Sequence, residues 1–476
     1  MKVIYTSAEC FPVAKVGGLA DVVGSLPKYL RKIGVEASVV IPAYDMPWFE
    51  GKLYRIVHTG NFHLGQEYLY FEVRYFIDDI LGFPFYTIHI PGKFDRYGVY
   101  AGHDGNFFGD EISRYISFQR AFLIWLRDGQ VDVDIIHCHD HHTGLIPFML
   151  KHAYEFQSLS QIPTVFTIHN ERYQGAFSWS QQYLLPNFDN WKSGLLDWNN
   201  VINPLSSAVR CVNRVTTVSP NYMNELMYES FGLESLFRSE AWKCSGILNG
   251  IDNEVWDPAT DPMVGYKLQD DQIEFKKRNK DIICNIAGLD PSLPLYGFIG
   301  RLVLEKGAEF IPGIIDTWLS NHRNANFIIL GTGDKSIEGS LKAVAQKHSR
   351  NVACMLAYNE AMSHKIYAGC DFLLMPSRVE PCGLNQMFAM RYGTIPIVRT
   401  TGGLKDSVKD ISEEGGVGIR FDHMTFDQMI HSVWRAYELY HNTTFKDQCV
   451  INAMALDYSW DASAQKYKDI YTSLVS

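Results

Sequence analysis

The stretch 371–408, DFLLMPSRVEPCGLNQMFAMRYGTIPIVRTTGGLKDSV, decides the fold. Phe372-Leu373-Leu374-Met375 is an apolar run of the length of a buried parallel strand. Pro376 and Ser377 end it, and Arg378, Glu380 and Cys382 follow in a loop. After Gly383, the residues Leu384, Met387, Phe388 and Tyr392 recur at helical spacing, and Gly393 stops them. Ile395 to Val398 reads as the next buried strand. Strand, loop, helix and strand in this order repeat in open parallel sheets, where ligands gather at strand C-termini and helix N-termini. Glu380 stands at such a place. It reads either as a carboxylate capping the next helix or as a reactive group. Thr401-Gly402-Gly403 repeats the arrangement after the following strand, and a glycine pair there lets backbone N–H groups approach a phosphate.

The same alternation runs outward to both ends. Lys2 to Tyr5 is a strand, and the loop Lys15-Val16-Gly17-Gly18 leads into a helix through Leu19, Val22, Val23, Leu26 and Leu30. Pro27 inside that pattern predicts a kink or local break. Gly17 and Gly18 form a generic phosphate-type loop, to which Lys15 adds a mobile ammonium. Residues 53–90 alternate apolar and polar, which predicts strands or a hairpin decorating the first sheet. Ile112 to Leu126 is a core helix, and Asp134 to Cys138, Val165 to Ile168 and Arg214 to Val218 are further strands. Residues 176–200 are aromatic without periodicity, which fits either stacking on sugar rings or a packed loop. Trp256-Asp257-Pro258 through Asp261-Pro262 is a proline-broken connection and the hinge candidate. A second alternation starts at Leu295, and its first strand feeds Gly300-Arg301-Leu302-Val303-Leu304-Glu305-Lys306-Gly307. Two cations at a strand end could clamp a diphosphate or form a solvated basic loop.

A chain of 476 residues is too long for one ordinary core. Its 46% apolar and 20% charged residues describe an ordinary globular protein, and a net charge of −10 argues against a nucleic-acid partner. No apolar run reaches membrane-spanning length, and Thr6, Ser7 and Glu9 interrupt any signal-type segment, so a cytoplasmic location is expected. Nine dispersed cysteines without a CxxC pair fit reduced thiols rather than zinc. His137-Cys138-His139-Asp140-His141-His142 is dense enough for a metal hypothesis. Adjacent residues on a strand alternate faces, however, and no later Cys/His pair completes a ligand set, so no metal and no cofactor are expected.

The central stretch closely resembles the signature of bacterial glycogen synthases and plant starch synthases. So do KVGGLADVVGSLP near the N-terminus, FTIHN at 166–170, GRLVLEKG at 300–307 and Ser459-Trp460 near the end. The resemblance covers nearly the whole chain and implies two facing Rossmann-like domains, the GT-B arrangement. The domains would be 1–255 on the glucan side and 263–455 on the nucleotide-sugar side, with 456–476 a helix crossing back. It implies a retaining glucosyltransferase that uses ADP-glucose to extend an α-1,4-glucan such as glycogen, starch or a maltooligosaccharide, with no nucleic acid or membrane as partner. Glu380, Asp140, His169, Arg301 and Lys306 fall on catalytic positions. Lys15, Gly17, Gly18, Tyr100, Asn249, Tyr358, Cys382, Gly383, Leu384, Thr401, Gly402 and Gly403 fall on substrate-binding ones, with Tyr358 facing the nucleobase. Whether Glu380 is a nucleophile or a positioning group stays open. The chain departs from the family at Tyr97, usually Pro, at His141, usually aromatic, at Glu305, usually Gln, and at 205–208, where a lysine is lost. Another nucleotide sugar, a sucrose- or trehalose-forming reaction and a non-catalytic glucan scaffold are the alternatives.

Overall fold

A computed structural model describes residues 1–102, 106–322 and 324–475. Ser476, the end of the expected last segment, lies outside the described residues. The chain forms two compact units: Met1–Gly250 together with the C-terminal helix Trp460–Val475, and Ile251–Ser459.

The first unit contains β1 (Lys2–Thr6), β2 (Glu36–Pro42), β3 (Tyr54–Leu64), β4 (Glu67–Phe76), β5 (Phe85–His89), β6 (Ile135–His139) and β7 (Thr164–Ile168). The short ribbon β8 (Asp197–Trp198) and β9 (Val201–Ile202), then β10 (Arg214–Thr217) and β11 (Cys244–Gly246), complete it. The main sheet has nine strands in the order β11-β10-β7-β6-β1-β2-β5-β4-β3. Strands β11 through β5 are parallel, and β3 and β4 form an antiparallel hairpin at one edge. Parallel strands buried on both faces read as continuous apolar runs, and Val39, Val40, Ile136, Val165 and Phe166 are fully buried. The helix Gly18–Lys32 continues through Pro27, so the expected local break does not occur. An interior proline costs about 3 kcal/mol. Burial of Leu19, Val22, Val23, Leu26, Tyr29 and Leu30, each contributing about 1.5–3 kcal/mol, outweighs it. The C-terminal helix docks on this unit: Tyr471 Oη meets His137 Nδ1 at 2.7 Å, and Lys468 Nζ donates to Ile33 O.

The second unit is a six-stranded parallel sheet of β12 (Leu295–Ile299), β13 (Asn326–Leu330), β14 (Val352–Met355), β15 (Phe372–Met375), β16 (Ile395–Arg399) and β17 (Ile419–Phe421). The order is β14-β13-β12-β15-β16-β17, so the chain reverses direction across the sheet between β12 and β15. That is where the Arg301 and Glu380 loops leave neighbouring strands. Tyr296 is sandwiched by Phe327 and Phe372 at 5.2 and 5.1 Å, which fixes β12 between its neighbours. Trp256 stacks on His364 and Phe388, tying the Pro-containing segment 256–262 to this unit.

Candidate active site

In the first unit the site begins with a side chain the sequence reading passed over. Glu9, buried in the loop after β1, accepts from Val16 N at 2.6 Å, Gly17 N at 2.9 Å and Tyr100 Oη at 2.7 Å. Burial pushes its carboxyl up, and those donors hold it down. Two N–H groups of the glycine loop are thus already satisfied from within. Gly17 and Gly18 leave the outer side open, since a Cβ on either would meet nothing within 4 Å. Lys15 Nζ donates to Asp21 at 2.7 Å from the rim of the same loop.

At the end of β6 the backbone turns through Asp140 at φ 55°, a conformation costly for a residue with a Cβ. The turn swings the carboxylate to the end of β7, where Oδ1 accepts from His169 N at 2.7 Å. Burial raises the Asp140 carboxyl to about 7. His169 Nε2 lies 2.9 Å from His139 Nδ1, and burial lowers His169 to about 3, so the imidazole is neutral. His137 and His139 stack at 4.3 Å behind it, both driven well down by burial. Glu171, likewise unsignalled by any motif, is buried against Tyr222 Oη. Asn249 is buried, and its Oδ1 has no partner among the described residues. A cavity of about 940 Å³ between the β3–β4 turn and Gln182–Asn190 touches none of these groups.

The second unit assembles charge. Lys306 Nζ lies 2.7 Å from both oxygens of Glu380, and Ser377 Oγ donates to Glu380 Oε2 at 2.9 Å. Glu380 is 7% exposed, and its carboxylate is engaged by Lys306 and Ser377. The helix Asn385–Arg391 starts at Leu384 without a side-chain cap, so the capping reading fails. Gly307, at φ 65°, lies where a Cβ would meet Pro376 O at 2.0 Å; only glycine lets the Lys306 loop pass beneath the Glu380 loop. Arg301 is 59% exposed at the end of β12, 4.0 Å from Glu305. Tyr358 is 77% exposed ahead of the helix Glu360–Gly369.

The Thr401-Gly402-Gly403 turn differs from expectation. A Cβ on Gly402 would meet Glu380 O at 2.0 Å and one on Gly403 would meet Cys382 O at 2.1 Å. Gly403 N–H donates to Glu380 O and Pro381 O, so the glycines bring this turn against the Glu380 loop rather than leaving that donor for a phosphate. Cys382 and Gly383 present their carbonyls to Gln386 Nε2, which fixes the loop from the other side. Most of the expected residues therefore gather into two sets around added partners: Gly17 and Tyr100 on Glu9 beside Asp140–His169, and Lys306–Glu380 with Ser377 and the 382–383 and 402–403 backbone.

The starch synthase catalytic domain family matches residues 2–239, and the glycosyl transferases group 1 family matches residues 279–443. A glycogen synthase from Flavobacterium johnsoniae is 46% identical over all of this chain and 99% of its own length. One from Streptococcus pneumoniae is 36% identical over the whole of both chains. The catalytic domain of starch synthase IV from Arabidopsis thaliana, solved with ADP and acarbose, superposes with a TM-score of 0.87 at 32% identity, covering 99% of each chain. A sucrose-phosphate synthase from Thermosynechococcus elongatus shares the fold alone, at a TM-score of 0.62 and 14% identity over 99% of this chain and 98% of its own.

Proposed function

The chain belongs to the glycogen and starch synthase family, and from that premise we propose that its donor is ADP-glucose. It is a glycosyltransferase that elongates α-glucan. We assign the non-reducing end of an α-1,4-glucan as acceptor, with retention of the α-configuration. The Arabidopsis relative was solved with ADP, which supports adenine as the base. The absence of a disulfide among the nine cysteines fits a reducing compartment, and we place the enzyme in the cytoplasm.

The observation that carries the reading is the Lys306–Glu380 pair. In the transfer, glucose C1 leaves the β-phosphate oxygen and bonds to the acceptor O4, and the acceptor proton passes to the departing phosphate. Negative charge grows on that phosphate and positive charge on the sugar ring. Lys306 and Arg301 offset the first, and Glu380 stabilises the second. A carboxylate with both oxygens against one ammonium is held in place and weakened as a nucleophile, which favours positioning over a covalent glucosyl-enzyme. In the first unit, Asp140 and the His169 backbone suit sugar hydroxyls, and Lys15 with its glycine loop suits an anionic group. The charged set argues against a non-catalytic scaffold, which would have no use for it.

The test is transfer of labelled glucose to glycogen from ADP-glucose and UDP-glucose in parallel. ADP-glucose should be preferred, with label released by an α-1,4-specific amylase. A preference for UDP-glucose would overturn the donor assignment.

A further inference from the structure

We propose that the turn following β6 binds one borderline divalent cation of the zinc class through Glu111 Oε1, His141 Nε2 and His142 Nε2. On a strand, consecutive histidines would point to opposite faces, and that alternation is why the sequence argues against a metal. His141 and His142 are not on the strand. They follow the left-handed Asp140 in a 3₁₀ turn, His141–Thr143, which turns both imidazoles to one side with ring centroids 3.7 Å apart.

The third group comes from a distant part of the chain. Glu111 opens the helix Glu111–Asp128, and its Oε1 lies 3.3 Å from His141 Nε2 and 3.5 Å from His142 Nε2. All three donor atoms fall within 4.8 Å of one another. Ligands bound tetrahedrally at about 2.0–2.1 Å are separated by roughly 3.3 Å, and the carboxylate already stands at about that spacing from each imidazole, so an ion would have to draw the two Nε2 atoms only within the 4.8 Å that bounds the set. Two imidazoles and one carboxylate suit zinc or cobalt, whereas magnesium and calcium prefer oxygen alone.

Both rings are held in this orientation by packing. Gly175, at φ 67°, lays its backbone on His141, where a Cβ would meet the ring at 2.4 Å. Tyr100 stacks on His142 at 4.8 Å, and Tyr115 meets the same ring edge-on at 4.5 Å. The Nε2 edges of both rings face Glu111 Oε1 and are the ones offered to an ion, while the Nδ1 atoms point into the interior. The Glu111 side chain is 40% exposed, which leaves the ion a way in and a position for water. Arg114 lies buried on the same helix and opposes a cation, so the carboxylate is required and the imidazoles alone would not suffice. His141 stands where the family pattern usually has an aromatic residue. The site adjoins Asp140 without sharing a ligand with the Asp140–His169 pair.

The experiment is a cobalt(II) chloride titration of the full-length chain after EDTA treatment, read by the d–d absorption of four-coordinate cobalt. One equivalent should saturate the signal, and zinc chloride should abolish it. Glu111→Gln and His141→Trp should each weaken cobalt binding at least about tenfold, and zinc should raise the melting temperature of the unsubstituted chain only. Circular dichroism confirms that each variant is folded, and the exposed Glu111→Gln decides if the other is not. No saturable cobalt signal, or a signal undiminished in the folded variants, would overturn the proposal.

Discussion

The ends of β6 and β15 occupy like places, each inside a parallel sheet, yet they are built from opposite materials. After β6 stand His139, Asp140 and, across the sheet, His169, all buried, with the histidines pushed toward neutrality and the carboxyl raised to about 7. After β15 stands Glu380 in a two-oxygen contact with Lys306, with Arg301 open to solvent at the end of the next strand. A buried set that sheds charge recognises neutral hydroxyls by hydrogen bonds. An ion pair beside an exposed cation answers charge that appears during a reaction. On the function proposed above, the contrast divides recognition of the sugar from stabilisation of the leaving group.

The largest expected effect comes from Glu380→Gln, which keeps the shape and removes the charge. Turnover should fall about a thousandfold, the scale of losing one aimed electrostatic group; a loss under tenfold would erase the contrast. Arg301→Ala should lower turnover about a hundredfold with an unchanged melting temperature, because the side chain packs against little. Asp140→Asn also keeps shape and removes charge, but its Oδ1 can still accept from His169 N–H. A loss of only about tenfold is expected, the scale of one hydrogen bond. If Asp140→Asn costs as much as Glu380→Gln, the first unit is not a neutral site.

The smallest effect is on stability. Burial holds His169 at about 3, below its unfolded value near ~6.5. Unfolding therefore takes up a proton between those values. The stability this ring contributes is present above pH ~6.5 and is lost as pH falls toward 3, at up to ~1.4 kcal/mol per pH unit. Melting temperatures of His169→Asn measured across that range should fall less steeply than those of the unsubstituted chain. An identical slope would show that His169 is not held neutral.

How much of this was legible depended on distance along the chain. The strand, loop and helix around Glu380 rest on signals within a few residues, and they fold as read. Glu9 was unreadable because its partner Tyr100 lies 91 residues away, and no local pattern marks an acid that satisfies a loop's N–H groups. His141 was singled out, but its contact with Glu111, 30 residues away, was unreadable for the same reason. Gly402 and Gly403 were read as a phosphate approach, whereas the backbone they admit is Glu380–Cys382, a long-range contact that periodicity does not encode. The alternation argument for His141 and His142 carried a strand rule past the strand's end, where a single left-handed residue and a 3₁₀ turn set which way both rings point.

The division of labour is tested most directly by steady-state kinetics of Lys306→Ala with ADP-glucose as the varied substrate. Lys306 meets charge that develops as the bond breaks, so kcat should fall about a thousandfold while the donor KM stays within a few-fold. A raised KM with kcat unchanged would mean that Lys306 only holds the ground-state donor, and it would contradict the assignment of charge stabilisation to the second unit.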